Sequence, residues 1–424
     1  METHLRIEGF GSERFRSLTR ATAEALDRAL DGEGIDDGQA LHLLDLSRDE
    51  LPALFAVAGA LRDRTRGSVV TYSPKAFFPV TNLCLDRCSY CTFRQDPGSP
   101  GAWTMLPEDV RRVARSAAAL GCIEALMCLG DKPERAYRSY RDTLAVLGHD
   151  STISYVAACC EIALDEGMLP HTNAGLLSKA EMTELRPLNV SLGLMLESVA
   201  PLRERGAAHA NAPDKDPALR LGMMREAGEL RIPFTTGVLL GIGETAADRV
   251  ASLRAIAGIH SEFGHIQEII VQNFRAKSST RMAGRPEPTS YETAAVVAVA
   301  RLMMPAMNLQ VPPNLNPYDI QLFLDAGIND WGGISPLTLD FVNPEAPWPQ
   351  IDSLSAACAA RGFTLRPRLP VYAEYCTDEF IEPELLERIA GAQAFESAKW
   401  HDGVAHLHNR GTGDSLQPIG DPHA

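Results

Sequence analysis

The chain has 424 residues, 45% hydrophobic and 22% charged, with a formal net charge of −15; that length suits one large barrel with appendages, and the composition is ordinary for a globular protein in water. An acidic surface repels phosphate backbones and argues against a nucleic-acid partner. No apolar run reaches the roughly 18 residues of a membrane span, and the N-terminus lacks a basic start followed by an apolar stretch, so a cytoplasmic protein is expected.

Residues 1–72 mix polar and apolar positions at helical spacing, as in ATAEALDRALDG and QALHLLDLSRDELPALFAVAGALRDR, and are expected to form an N-terminal helical extension. From about residue 73 short apolar runs alternate with amphipathic stretches. The expected strands are KAFFPVTNLC, CIEALMCLG, MLPHTNAG, NVSLGLMLE, IPFTTGVLLG, IQEIIVQNF, LQVPPNL and GINDWGGIS. Between them lie helical patterns such as PEDVRRVARSAAALG and SYETAAVVAVARLMM. This alternation implies a parallel sheet with crossover helices, and eight strands close naturally into an α/β (β/α)8 TIM-type barrel over residues 73–375. An open doubly wound sheet is the competing architecture. Residues 376–424 are expected to hold a last helix and a disordered tail from about residue 402.

Polar and glycine residues collect at the C-terminal ends of these runs. They include Cys84, Gly130-Asp131, His171-Thr172-Asn173, Glu197-Ser198, Gly241-Ile242-Gly243-Glu244, Gln272-Asn273, Asn314 and Trp331. In a (β/α)8 barrel those ends form one mouth, where active sites lie.

Three of the nine cysteines, Cys84, Cys88 and Cys91, fall in TNLCLDRCSYCTFRQ with spacing C-x3-C-x2-C. Thiolates suit iron–sulfur clusters or zinc. The loop has three ligands and no fourth, whereas structural zinc takes four. A four-iron cluster on three cysteines leaves one iron open to a substrate or cofactor. Zinc and chance clustering of structural cysteines are the alternatives. The scattered Cys122, Cys128, Cys159, Cys160, Cys358 and Cys376 read as small buried apolar side chains.

This spacing, with Tyr90 before the third cysteine, resembles the radical S-adenosylmethionine (SAM) superfamily. FFPVTNLCLDRCSYCTF, LGDKPE, PHTNAGLLS, SLGLMLES, PDKDPALRL, IPFTTGVLLGIGET, EIIVQNFRAK, VPPNL, NDWGGISPLT, VNPEAPWP and RLPVY narrow the resemblance to the 7,8-didemethyl-8-hydroxy-5-deazariboflavin synthases. The resemblance implies a (β/α)8 barrel holding a [4Fe-4S] cluster and SAM. It also implies oxidative cyclisation of a 4-hydroxybenzyl–ribitylaminouracil adduct, with release of ammonia. A partner synthase makes that adduct and contacts this enzyme transiently, and flavodoxin or ferredoxin donates electrons. One cluster motif and room for one barrel look like the version carrying a single activity.

By the same resemblance, Cys84, Cys88 and Cys91 match the cluster ligands and Tyr90 lies near the adenine. Gly130, Asp131 and Glu134 match the turn at the SAM amino group, with Asp131 replacing the second glycine of the commoner Gly-Gly-Glu form. Glu197 and Ser198 match a SAM-contacting position, and Gly241 and Gly243 a turn near adenine. Each has a plainer reading: Glu134 as a helix cap, Gly241 and Gly243 as a tight turn, Glu197 as the partner of a rim arginine. For the substrate, Asn173, Gln272 and Asn273 offer amides to a uracil ring and His171 and Thr172 meet ribityl hydroxyls. Trp331 stacks on the phenol, and Arg275 and Lys277 support an anionic ring or a leaving group. The competing functions are the partner synthase, a sulfur-inserting radical enzyme with a second cluster, and a zinc-stabilised binding protein.

Overall fold

The computed structural model describes residues 18–401, so residues 1–17 of the expected extension and the expected disordered tail lie outside it. The strands are β1 (Val69–Phe78), β2 (Glu124–Cys128), β3 (Leu169–Asn173), β4 (Ser191–Gly193), β5 (Phe234–Leu240), β6 (Ile266–Asn273), β7 (Asn308–Gln310) and β8 (Asp330–Ile334). Each pairs in parallel with the next, and β1 pairs with both β8 and β2, which closes the barrel and rules out the open sheet. A further strand, β9 (Thr364–Pro367), pairs outside the closure with the start of β1. Its four residues, TLRP, are too few for an alternating pattern to mark a strand in the sequence.

The helices follow in chain order: α1 (Arg20–Leu30), α2 (Asp37–Leu44), α3 (Leu51–Arg66), α4 (Pro107–Ala119), α5 (Arg138–Leu147), α6 (Thr152–Asp165), α7 (Lys179–Leu185), α8 (Pro217–Glu229), α9 (Ala246–Phe263), α10 (Ser290–Met303), α11 (Ile320–Asp325), α12 (Ile351–Ala359) and α13 (Pro383–His401). Local chemistry marks their starts. Ser178 with Glu181, Thr245 with Asp248 and Thr289 with Glu292 form capping boxes that satisfy free N–H groups of α7, α9 and α10. β7 stops at Gln310 just before Pro312 and Pro313, which have no N–H to continue a ladder.

Strand side chains alternate between the barrel interior and the helical layer. β5 is buried at all seven positions, as a strand covered on both faces must be. The N-terminal end of the interior is polar. Arg368, just past β9, reaches in to Glu268 of β6 at 2.7 Å and Asp330 of β8 at 2.6 Å. The Tyr372 hydroxyl donates to Glu268 at 3.1 Å, and the Thr71 hydroxyl donates to Asp330. Burial pushes the Glu268 carboxyl up, and the Arg368 charge only partly restores it.

β1 begins at Val69, inside the segment read as helical extension. α2 and α3 pack on α9 and α10, and Leu26, Leu43 and Leu54 join the main core. The extension therefore shares the barrel's hydrophobic core. At the other end Ile381, Leu385 and Ile389 pack with Tyr372 and Tyr375 against Ile123, Leu164 and Val190.

Candidate active site

After β1 the chain enters a long loop held by its own polar groups. Asn82 donates through Nδ2 to the Gly101 carbonyl (2.7 Å) and accepts through Oδ1 from the Trp103 N–H (2.9 Å). The cysteine segment is then tied to neighbouring loops. Leu85 N–H donates to the Asp131 carbonyl (2.8 Å), Arg87 N–H to Asn211 (2.8 Å) and Ser89 N–H to Ala208 (2.8 Å). Asp131 N–H donates to Cys84 Sγ at 3.1 Å. A Cβ on Gly130 would overlap the Cys84 side chain, so only glycine allows this approach.

Cys84, Cys88 and Cys91 border one cavity of about 370 Å³ at the C-terminal mouth of the barrel. Among the described residues no three His, Cys, Asp or Glu side chains converge as ligands of a single ion. Burial pushes the Cys84 and Cys88 thiols up to about 12, so their thiolates need a bound cation. Asp131 borders the same cavity. Its Oδ2 accepts from Leu176 N–H at 2.8 Å, while its Oδ1 is buried with no geometric hydrogen bond among the described residues; burial, with the Asp214 and Asp86 carboxylates nearby, pushes the Asp131 carboxyl up to about 7, so a cation placed there would favour its charged form. Three soft ligands and a buried acceptor awaiting a donor fit a cluster and the ammonium group of SAM.

Glu197 also borders the cavity, but not as the end of a regular strand. β4 stops at Gly193, and Glu197 takes a left-handed backbone (φ 65°) before bridging to Val238 of β5. Such a conformation costs about 1–3 kcal/mol in a non-glycine residue and gathers at functional sites. The Glu197 carboxylate pairs with Lys215, not with an arginine. Burial opposes its charge, and Lys215 with Arg220 more than offsets that, holding its carboxyl below the usual range. Tyr90 borders the cavity too, its hydroxyl 3.2 Å from His209 Nε2.

Other expected SAM contacts lie elsewhere. Glu134 is absent from the cavity wall; its carboxylate accepts from the N–H of Thr152 (3.2 Å) and from its hydroxyl, at the start of α6. The Gly241–Gly243 turn folds around the Glu244 carboxylate, which accepts from the N–H groups of Gly241 (2.8 Å), Ile242 (2.9 Å) and Gly243 (3.1 Å). The two glycines do not border the cavity, although Ile242 packs in a small cluster beside Tyr90. Ser198 is buried, its hydroxyl accepting from Ala200 N–H. For Glu134, Gly241 and Gly243 the geometry is that of the plainer readings.

Strand alternation sorts the substrate candidates. Asn173 and Gln272 face the cavity. Their neighbours turn away: Thr172 donates to Asn189 Oδ1 at 2.7 Å, and Asn273 Oδ1 accepts from Asn316 at 2.8 Å. His171 faces inward below the cavity, with Nδ1 2.6 Å from Ser191 Oγ. Trp331 borders the cavity, yet its indole is fully buried in the main core beside Cys358 of α12, and so is badly placed to stack on a ligand. Arg275 pairs with Glu287 at 3.2 Å, and Lys277 bonds the Val342 carbonyl; neither borders the cavity. The sequence reading missed Lys75, Phe77, Lys215, Gln310 and Trp348, all on the wall. Phe77 and Trp348 stack with centroids 5.3 Å apart. Trp348 sits in VNPEAPWP, a signal that was available.

Residues 78–256 match the radical SAM superfamily. The chain is 47% identical over 320 residues to the 7,8-didemethyl-8-hydroxy-5-deazariboflavin synthase of Methanothermobacter thermautotrophicus, covering 76% of this chain and 97% of that protein. The chain belongs to this synthase family. The synthase of Methanopyrus kandleri is 44% identical and is covered over 99% of its length. The FO synthase of Streptomyces coelicolor is 45% identical over 381 residues, but the chain spans only 44% of its length. The barrel of this family member resembles that of HydG, a maturase of the [FeFe]-hydrogenase, with TM-score 0.70 at 18% identity over 89% of this chain and 82% of that one. Methylornithine synthase (PylB) has TM-score 0.64 at 18% identity, over 81% and 97% of the two chains.

Proposed function

We propose that this chain closes the deazaflavin ring system, converting the 5-amino-5-(4-hydroxybenzyl)-6-(D-ribitylimino)uracil adduct to 7,8-didemethyl-8-hydroxy-5-deazariboflavin with loss of ammonia and two hydrogens, as a lyase. One observation carries the reading: one cavity is lined both by Cys84, Cys88, Cys91 and Asp131 and by Asn173, Gln272 and the Phe77–Trp348 stack. Thiolates, amides and aromatic rings in one cavity match a metal-dependent radical source beside a polar aromatic substrate.

Cys84, Cys88 and Cys91 would hold the [4Fe-4S] cluster, and the Asp131 carboxylate would accept from the SAM ammonium. When bound, the cluster and SAM would supply the one-electron chemistry that takes a hydrogen atom from the substrate. Tyr90 lines the adenosine side, and Glu197, kept ionised by Lys215, accepts from SAM hydroxyl groups. Ser198 and the Gly241–Gly243 turn support those walls without touching the ligand. Asn173 and Gln272 hold polar edges of the adduct, and Phe77 with Trp348 faces its phenol. The enclosing barrel keeps the benzylic carbon near the radical source and excludes water. A flavodoxin or ferredoxin delivers the electron, and the partner synthase delivers the adduct in the cytoplasm.

The test is anaerobic incubation of cluster-loaded protein with reductant, SAM and adduct deuterated at the benzylic carbon. The fluorescent deazaflavin, ammonia and deuterated 5′-deoxyadenosine are expected together, and none of them after Cys84, Cys88 and Cys91 are changed to Ala. SAM cleavage that never yields deazaflavin rejects the substrate. Deazaflavin formed while the label stays out of 5′-deoxyadenosine rejects the benzylic position.

A further inference from the structure

Two consecutive glycines on β8 leave space that their neighbours fill. A Cβ on Gly333 would overlap the side chain of Lys75 on β1 and lie 2.8 Å from its Nζ. A Cβ on Gly332 would overlap the carboxamide of Gln310 on β7. β7, β8 and β1 are adjacent in the closed sheet. The central strand therefore has no side chain where both flanking strands send a polar one into the cavity, and Lys75 and Gln310 both line it. In sequence these are the two glycines of NDWGGIS.

Lys75 is fixed from its other side. Its Nζ holds Glu124 Oε1 of β2 at 2.8 Å, and the Ser73 hydroxyl donates to Glu124 Oε2. Burial pushes the Glu124 carboxyl up, but the Lys75 ammonium above all, with a hydrogen bond from Ser73, reverses this, so Glu124 stays ionised. An ammonium has three donors. Glu124 occupies one, and no other hydrogen bond or ion pair to this Nζ is made among the described residues. The side chain is only 12% exposed, so the remaining donors have little water to turn to. On the same cavity wall, across the glycine pair, the Gln310 carboxamide offers one donor face and one acceptor face.

We propose that Lys75 and Gln310 form the anchor for the imide edge of a pyrimidinedione ring. A ring carbonyl accepts from the Lys75 ammonium and the Gln310 amide, and the adjacent ring N–H donates to the Gln310 carbonyl oxygen. An imide presents an acceptor and a donor side by side, which the pair matches; a phenol or a polyol chain needs no such pairing. The inference rests on the deazaflavin reading above and names the groups that hold its heterocycle.

The test uses cluster-reconstituted protein and purified 7,8-didemethyl-8-hydroxy-5-deazariboflavin as probe, titrated by its fluorescence. Lys75→Met keeps the length of the stem and removes the donors. Because it strands a buried carboxylate, Lys75→Met/Glu124→Gln is made beside it. Gly333→Ala displaces the Lys75 side chain and leaves its charge intact. Each variant should bind the probe roughly ten- to a hundredfold more weakly than wild type. The KM for the adduct should rise by a similar factor, with a smaller change in kcat. A double variant with wild-type iron content and unfolding temperature that binds within twofold of wild type overturns the anchor. Should that variant fail to fold, Gly333→Ala decides the matter by the same criterion. If wild type itself neither binds the probe nor converts the adduct, the deazaflavin reading falls, and the anchor's assignment to a pyrimidinedione falls with it.

Discussion

His171 shows how a buried network fixes the state of one residue. Ser191 Oγ donates its only proton to the Pro370 carbonyl at 2.8 Å. It must therefore accept from His171, so Nδ1 carries the ring proton and Nε2 is the bare acceptor. Burial pushes the His171 pKa down to about 4 from an ordinary 6.5. The folded protein thus keeps the ring neutral where the unfolded chain protonates it. The resulting stability is fully present above pH 6.5 and is lost as the pH falls towards 4. For a buried group the loss is on the order of 2–3 kcal/mol. His171→Gln keeps a donor for Ser191 and removes the titration. Its unfolding temperature should fall less than that of wild type between pH 6.5 and 4.5 in thermal melts. Parallel pH profiles for the two proteins would remove His171 from the account of acid sensitivity.

At the scale of elements, helix ends and turns explain residues that sequence resemblance placed at the cofactor. Glu134 satisfies the first turn of α6 through Thr152. Glu134→Ala should therefore cost about 0.5–2 kcal/mol of stability, and SAM affinity should change by less than twofold. A tenfold loss of SAM affinity at wild-type stability would return Glu134 to the cofactor site. Gly241 has φ 89°, and a Cβ there would lie 2.5 Å from Pro288. Gly258, within α9, has open space around its Cβ position. Gly241→Ala is expected to destabilise by about 1–3 kcal/mol. Gly258→Ala should instead stabilise by about 0.5–1 kcal/mol, since alanine is the better helix former. Chemical denaturation of the two variants checks both signs.

For the whole molecule, one buried cation ties the C-terminal segment to the barrel. Arg368 meets Glu268 and Asp330, and the same segment accepts at Pro370 from Ser191 and from Gln267 (3.1 Å). Removing the guanidinium leaves two carboxylates buried without their counter-charge. Arg368→Met should cost about 3–5 kcal/mol, read as a lower unfolding temperature. Arg366→Met, on a mostly exposed strand position, should cost under about 0.5 kcal/mol. Equal effects would mean that the buried ion cluster does not hold the barrel floor. The N-terminal helices share the main core with the barrel as well, while Ile381, Leu385 and Ile389 pack on it through a second cluster.

Some of this was legible in the chain alone, because the relevant information is local. The spacing of Cys84, Cys88 and Cys91 lies within one loop. The alternation of apolar runs with amphipathic stretches imposes eight strands and their crossover helices, and S/T-x-x-E/D patterns mark helix starts. Period two even decides, in principle, that Asn173 faces inward where Thr172 does not. Other features were set by contacts between segments far apart in sequence. Lys75 reads as one more strand residue until Gly333, on the neighbouring strand β8, leaves it room. Glu134 reads as a rim acid until the start of α6 arrives to use it. Trp331 reads as a ligand platform until α12 covers it with Cys358. Glu197 sits at the end of an apolar run, but only the pairing with β5 and the ion pair with Lys215 give it its left-handed backbone and its charge. Local pattern determined the eight barrel strands, most of the helices and the cysteine loop; closure of the barrel decided which polar groups share the cavity, because a side chain's direction, partners and solvent access depend on what packs against it.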